Sequence, residues 1–338
     1  MTRLVKITLL FLCAIVAQSC SVIDDDLSNC DKALELDLEV RLHTQLDLEL
    51  NQQLTADQDN PIRQLLYEQL KDIFSDQAQD IDAIIYRDNS NEVATHINEV
   101  INSNQKTYTI SLPMDNYDAI ALANIDNNAV VNFTGNEING EGKITVPADT
   151  VNSQRTGLFA ARKEITITSA ASQTVKMTLR QVNSAVALLL DHSGVELNKV
   201  EVFVEGTASD FMVADSSFIF NKKIVARANL PQNNQPNQMP SRAQQTTAQK
   251  CFTAVTLPSV NTPNADGSYY NVVVYATNSD GTITRTELAI PDQLPAGHLR
   301  VIKAQLQGDG RVQPTENTNI GVTVQLDWQQ GGEHEIIL

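Results

Sequence analysis

Two cysteines and three aspartates stand close together in CSVIDDDLSNC, residues 20–30. A thiol can be acylated, can take part in redox exchange, or can bind metal as thiolate. Carboxylates can bind a hard cation or serve as a solvated charge run. Three adjacent carboxylates on an extended chain cannot all point at one ion, and hard cations need six or more converging oxygens. The five histidines, His43, His96, His192, His298 and His334, are scattered. None has a partner at ligand spacing, and the sequence holds no HExxH helix, phosphate-binding loop or GxSxG elbow. Asp191-His192-Ser193 has the residue types of a nucleophilic triad. Neighbours on a strand point to opposite faces, so three in a row cannot relay a proton, and the segment reads as a turn. Asp- and Asn-rich stretches at 88–92, 264–268 and 278–282 have calcium-compatible composition, but hairpin turns use the same residues. No catalytic constellation, metal site or cofactor motif emerges.

The residues upstream give Cys20 its chemistry. Arg3 and Lys6 precede a ten-residue apolar run, Ile7 to Val16. That run is half the roughly 20 residues a membrane-spanning helix needs, and its layout is that of an export signal over residues 1–19. Ser19 leads directly into Cys20, as in bacterial lipoprotein signals, where the cysteine thiol is acylated and becomes the mature N-terminus. Ala17-Gln18 departs from the commoner Leu-Ala, and an ordinary signal followed by a buried cysteine is the alternative. Residues 20–33 then form an acidic tether. Asp24, Asp25 and Asp26 repel one another and stay hydrated, and their position resembles the surface-export signal of Bacteroides-type lipoproteins.

The chain carries 24 basic and 41 acidic residues, a net charge of −17. Losing residues 1–19 removes two positive charges and no acid, which takes it to −19. Such a surface repels nucleic acid and anionic membranes, so no nucleic-acid partner is expected and membrane contact falls to the lipid. Cys13 leaves with the signal. Cys30 and Cys251 remain, and an exported compartment permits a disulfide between them. Aromatic residues are only 5% of the chain, which weakens a sugar-binding reading.

The elements that would position these groups are mainly strands. LELDLEVRLHTQLDLEL, residues 34–50, alternates apolar and polar residues and reads as a long strand, bent or divided near His43–Gln45. DNPIRQLLYEQLKDIF changes period and predicts one amphipathic helix. Asn60 is its cap and Pro61 its first residue, with Ile62, Leu65, Leu66, Leu70, Ile73 and Phe74 on the buried face. Alternating runs then follow to IGVTVQLDW (320–328), separated by turn chemistry. They predict β-sandwiches in two domains, 34–170 and 171–338, divided at the small-residue break 169–172. The Gln/Asn/Pro-rich segment 231–249 reads as an exposed loop.

Several stretches together resemble the fimbrillin-associated anchor family of Bacteroides-type fimbriae, the FimB-like minor subunits. They are CSVIDDDLSNC, the helix with IDAIIYRD, the pair YTISLPMDNYDAIALANI, TLRQVNSAVALLLDH and the final IGVTVQLDWQQGGEHEIIL. The resemblance implies two tandem transthyretin-like β-sandwiches and no catalysis or cofactor. It implies a lipid-anchored base subunit in the outer membrane that holds a fimbrial stalk subunit and limits fibre length. A tip adhesin, or a surface lipoprotein that binds glycans, is the alternative. In related stalk subunits, an arginine-specific protease removes the first strand and a neighbour's strand fills the groove. Here the first strand is continuous with Cys20, so retaining it would close the groove. The donor to the stalk would be Ile320, Val322, Val324, Leu326 and Trp328, or the tail Glu333–Leu338.

Overall fold

The computed structural model describes residues 32–41, 45–56, 59–88, 90, 92–100, 107–126, 128, 130–134, 142–168, 173–195, 197–230, 249–315 and 319–327. The first half holds strands β1 (Lys32–Arg41), β2 (Asp80–Arg87), β3 (Val93–Val100), β4 (Thr107–Leu112) and β5 (Asn116–Ala123). It continues with β6 (Asn132–Thr134), β7 (Lys143–Thr145), β8 (Thr150–Asn152) and β9 (Phe159–Thr166). Next come β10 (Gln173–Gln181), β11 (Ser184–Asp191), β12 (Leu197–Thr207), β13 (Asp210–Met212), β14 (Ser217–Ile219) and β15 (Ile224–Arg227). The last are β16 (Gln249–Thr256), β17 (Tyr270–Asn278), β18 (Ile283–Ile290), β19 (Leu299–Leu306), β20 (Val312–Pro314) and β21 (Gly321–Asp327). Two helices, α1 (Leu46–Gln53) and α2 (Asn60–Leu70), lie between β1 and β2. The protein is mainly β, as its alternating runs predict.

A seven-stranded sheet runs β3-β2-β5-β9-β10-β1-β4. Strands β9 and β10 pair only at Phe159–Gln181 and Ala160–Arg180. The sheet folds over there, and its two parts enclose one core containing Leu36, Ile85, Tyr117 and Leu179. The second sandwich places β16-β11-β19-β20 against β21-β18-β17-β12-β15-β8. Leu188, Val204, Val274 and Leu288 meet between those sheets.

Each sandwich has a further cover, one of helices from the N-terminal part of the chain and one of strands from its middle. Helices α1 and α2 lie on the outer face of β16-β11-β19, where Leu50, Leu66 and Leu70 meet Ala187, Leu189 and Val255. The sheet β14-β13-β7-β6 lies on the outer face of β2-β5-β9, where Ile144 and Phe211 meet Ile84, Ile120 and Leu122. This explains the strands whose residues are nearly all buried. In β11, Val186, Leu188 and Leu190 face the sandwich core, while Ala185, Ala187 and Leu189 face the helices. Strand β5 divides likewise, with Tyr117, Ala119 and Ala121 on one side and Ile120 and Leu122 on the other. Continuous apolar runs such as SAVALLL are what two covered faces require.

Three expectations need correction. The run 34–50 is not one bent strand: β1 ends at Arg41 and residues 46–53 are helical. Leu46, Leu48 and Leu50 fit period two, yet Leu46, Leu50 and Leu54 fit a helix stripe equally well. The helix buries those three and leaves Leu48 52% exposed. There are thus two helices rather than one, and both cover the second sandwich rather than the first. Helix α2 buries Ile62, Leu66 and Leu70 as its periodicity predicts, with Leu65 only partly buried, but its cap position is Asp59 rather than Asn60. Strand β10, which begins just after residues 169–172, pairs with β1 and β9.

The chain passes from one sandwich to the other through a buried polar knot. Asn183 is fully buried. Its Nδ2 donates to Gln154 Oε1 at 2.8 Å and to the Thr156 carbonyl at 2.9 Å. Its Oδ1 accepts from the Leu158 amide at 3.1 Å and from Gln181 Nε2 at 3.2 Å. Asn124 Nδ2 donates to the Gly157 carbonyl at 2.8 Å. Gly157 passes so close to the Ile73 carbonyl that any side chain there would collide with it. Substituting Asn183→Ala removes four hydrogen bonds and leaves several buried groups unpaired. Each such group costs about 1–3 kcal/mol, with incomplete additivity. We expect a loss of about 3–5 kcal/mol, read from the midpoint of urea unfolding.

Candidate functional site

Strand β1 is the part of the predicted assembly machinery that the structure describes in most detail. Its alternation places Leu34 and Leu36 wholly in the core and leaves Glu35 exposed. Leu34–Arg41 aligns parallel with Gln173–Arg180 of β10. Lys32–Asp37 aligns antiparallel with Leu112–Thr107 of β4. The strand therefore fills the slot between β10 and β4 and is paired on both sides. Arg41, at its end, is exposed and sits 3.1 Å from Glu39.

Strand β21 carries most of the predicted donor residues. It lies at the edge of the six-stranded sheet, antiparallel to β18, from Gly321–Ala289 to Asp327–Ile283. Ile320 packs partly against the second core. Val324 is half-buried and Val322 is 43% exposed. Among the described residues this edge strand pairs with β18 alone. The backbone of Leu326 belongs to the strand, whereas Trp328 and the tail Glu333–Leu338 lie outside the described residues.

The remaining polar motifs resolve into local structure. Asp191 accepts from the Ser193 amide at 2.9 Å and its hydroxyl at 2.6 Å, forming a turn. The Ser193 hydroxyl holds the Asp191 carboxyl below the usual carboxylate range. Asp266 binds Ser268 and Asp280 binds Thr282 in the same manner. In each, one carboxylate oxygen closes the residue's own turn, as hairpin chemistry predicts. His96 lies 2.8 Å from Asp82, and His298 lies 2.7 Å from Glu49 of α1. Among the described residues no group of three or more His, Cys, Asp or Glu side chains converges as a metal site would.

Cys251 is buried beneath the helices, with Sγ 4.0 Å from Gln69 Oε1. Burial pushes its thiol up to about 12. Cys20, Asp24, Asp25, Asp26 and Cys30 lie outside the described residues, as do residues 231–248 of the polar loop.

Two features escape a reading of the sequence. The edge of β19 is closed by a side chain, because Gln53 Nε2 donates to the Leu299 carbonyl at 2.6 Å and Gln53 Oε1 accepts from the Val301 amide at 2.8 Å. The Gln53 amide thus does there what a neighbouring strand would do. The second is a cavity of about 480 Å³ where Arg41, Arg162 and Arg180 come together with the β13–β14 hairpin. The arginines occupy ordinary polar positions on separate strands, and only the register of β1, β9 and β10 brings them to one place.

The family profile described as fimbrillin-A associated anchor proteins Mfa1 and Mfa2 matches residues 39–330. A search of curated protein sequences gave no match. Among solved structures, a Bacteroides thetaiotaomicron DUF1812 protein, described as a candidate for polysaccharide binding, is similar with a TM-score of 0.53 at 11% identity. That similarity covers 85% of this chain and 99% of the other, and it shows a shared fold. The fimbrial anchor protein Mfa2 of Porphyromonas gingivalis aligns with a TM-score of 0.48 at 10% identity, over 88% of this chain and 99% of its own. The tip fimbrial protein Mfa3 of the same organism gives 0.40 at 10% identity, over 88% and 100%.

Proposed function

Because this chain belongs to the family of fimbrillin-A associated anchor proteins Mfa1 and Mfa2, we propose that it is the base subunit of a surface fimbria, held in the outer membrane by lipid on Cys20. Asp24, Asp25 and Asp26 act as the export signal that carries the body to the cell exterior. The partner is the fimbrial stalk subunit, and the role is structural.

The observation that carries this reading is the placement of β1. An open slot between β10 and β4 would accept a strand from a neighbouring subunit by edge addition. Here the slot holds the chain's own residues 32–41, paired with β10 over 34–41 and with β4 over 32–37. With that strand retained and tied through the tether to Cys20, no further subunit inserts and the fibre ends at the membrane. The opposite end offers the donor. Ile320, Val322, Val324 and Leu326 lie on or beside an edge strand with one neighbour, and β21 passes to the stalk subunit by detaching from β18.

The test is the N-terminus of the protein recovered with fimbriae. Mass spectrometry is expected to find residues 32–41 covalently intact. A new N-terminus after Arg41 would sink the self-filled slot, because the strand would then have been released as in a stalk subunit.

A further inference from the structure

We propose that an open slot at one end of the second sandwich is filled by the chain's own residues 333–338, with Ile337 in its apolar floor and Glu335 against Lys250. The slot lies where β11, β17 and β19 finish, and it encloses about 340 Å³. Leu190 and Leu306, both almost fully buried, line it together with half-buried Val195 and Val200. All four belong to the second core or pack against it, so the slot is an opening into that core. Aliphatic walls favour another aliphatic side chain over water. The slot also holds a cation. Lys250 aligns with Leu190 across β16 and β11, and cross-strand partners share a face. Phe252, two residues on, faces the same core, so Lys250 is on the inner side of the sheet. It is half-buried and makes no ion pair or side-chain hydrogen bond among the described residues. His192 stands beside it, and none of the described residues lining the slot is acidic. An occupant with an aliphatic side chain close to a carboxylate meets both the walls and the lysine.

The chain carries such a segment and delivers it to this end of the sandwich. Residues 333–338 read EHEIIL and lie outside the described residues. In an extended segment Glu335 and Ile337 share one side, so one can meet Lys250 while the other enters the floor. Strand β21 finishes at Asp327, aligned with Ile283 of β18. Ile283 aligns with Thr277 of β17, and the next residue, Asn278, aligns with Leu197 of β12. Ser279, which follows directly, lines the slot. Three strand spacings and part of the gap between sheets therefore separate Asp327 from the slot, roughly 15–20 Å. The stretch from Trp328 to Glu335 reaches about 26–29 Å when extended. The surplus leaves room for a bend, and Gly331-Gly332 accepts the backbone a bend requires. Length, charge and apolar pattern thus agree on the same occupant.

The test uses the full mature chain in dilute solution, with two readouts. Zero-length carbodiimide coupling followed by peptide mass spectrometry is expected to join Lys250 to Glu335 within one chain. Hydrogen exchange is expected to find the amides of residues 334–338 slowed, and Ile337→Ser should quicken them about tenfold or more while β11, β12 and β16 keep their protection. Exchange in the unaltered chain as fast as in I337S overturns the proposal. So does the absence of coupling between Lys250 and Glu335, the result expected if the lysine only guards the edge strand β16 against pairing. Coupling found between two chains alone also overturns it and assigns the slot to a second copy. None of these outcomes depends on whether residues 32–41 stay with the fimbria, so this inference and the base-subunit reading stand or fall separately.

Discussion

Replacing Cys20→Ala is expected to release fimbriae from the cells into the medium. On the proposed reading, the lipid on Cys20 is what holds the body at the membrane. Its charge of −17 rises in magnitude once residues 1–19 are gone, which opposes adsorption to an anionic surface. Among the described residues no helix is long and apolar enough to span a bilayer. One acyl chain gives an association constant of only about 10⁴ M⁻¹, and stable anchoring needs a second signal. If Cys20 carries several acyl chains as proposed, its loss removes most of the membrane-binding free energy in one step. The measurement is the division of fimbriae between washed cells and culture supernatant, with fibre length read by electron microscopy. Shed or lengthened fibres support a base subunit. Fibres that stay attached and unchanged would show that this protein is not the foot of the fibre, and a tip subunit would become the better account.

Leu36→Asp should be the most damaging single change within the described fold. Leu36 is fully buried in the middle of β1, aligned with Val175 of β10 and Tyr108 of β4. Removing a buried leucine side chain costs about 3–5 kcal/mol. A carboxylate there would lie in an apolar core among Ile85, Tyr117 and Leu179, so it must also be desolvated or protonated. The total is on the order of 5 kcal/mol or more, a large part of the 5–15 kcal/mol that holds an ordinary domain together. Glu35→Ala, one residue earlier, is the control. Its side chain is exposed and accepts a single hydrogen bond from Thr174 at 3.1 Å. Its cost should stay within about 0.5–1 kcal/mol. Urea unfolding reads both, and limited digestion after Arg41 reads whether β1 leaves its slot. Equal effects at the two positions would mean that β1 is not held in the core as described.

Much of this was legible from residue order alone, for a local reason. Period two in residues 34–41 and period near 3.6 in 62–74 each report which side of an element is apolar, and side-chain direction repeats with the backbone. Turns such as 264–268 and 278–282 were equally legible, because an aspartate binding the amide two residues on needs no distant partner. The short strands β6, β8, β13, β15 and β20 were not, since three or four residues carry too little pattern. Residues 46–50 were read in the wrong period because Leu46, Leu48 and Leu50 satisfy both. What decided it was an outside surface: Ala187 and Leu189 of β11 needed covering, and a helix presenting Leu46 and Leu50 covers them.

The sequence by itself therefore determined the β class, the identity of the strands with clear alternation, the amphipathic helix α2 and the resemblance to fimbrial anchor proteins. These rest on patterns repeated within a few residues. Only the tertiary structure decided that the N-terminal helices cover the second sandwich, that β13 and β14 join β6 and β7 over the first, that β1 lies between β10 and β4, and that Arg41, Arg162 and Arg180 share one cavity. Those contacts join residues as much as 249 positions apart, as between Glu49 and His298. Nothing within a short segment encodes its distant partner, and the choice is made by which apolar face and which unpaired edge remain to be covered once the local elements have formed.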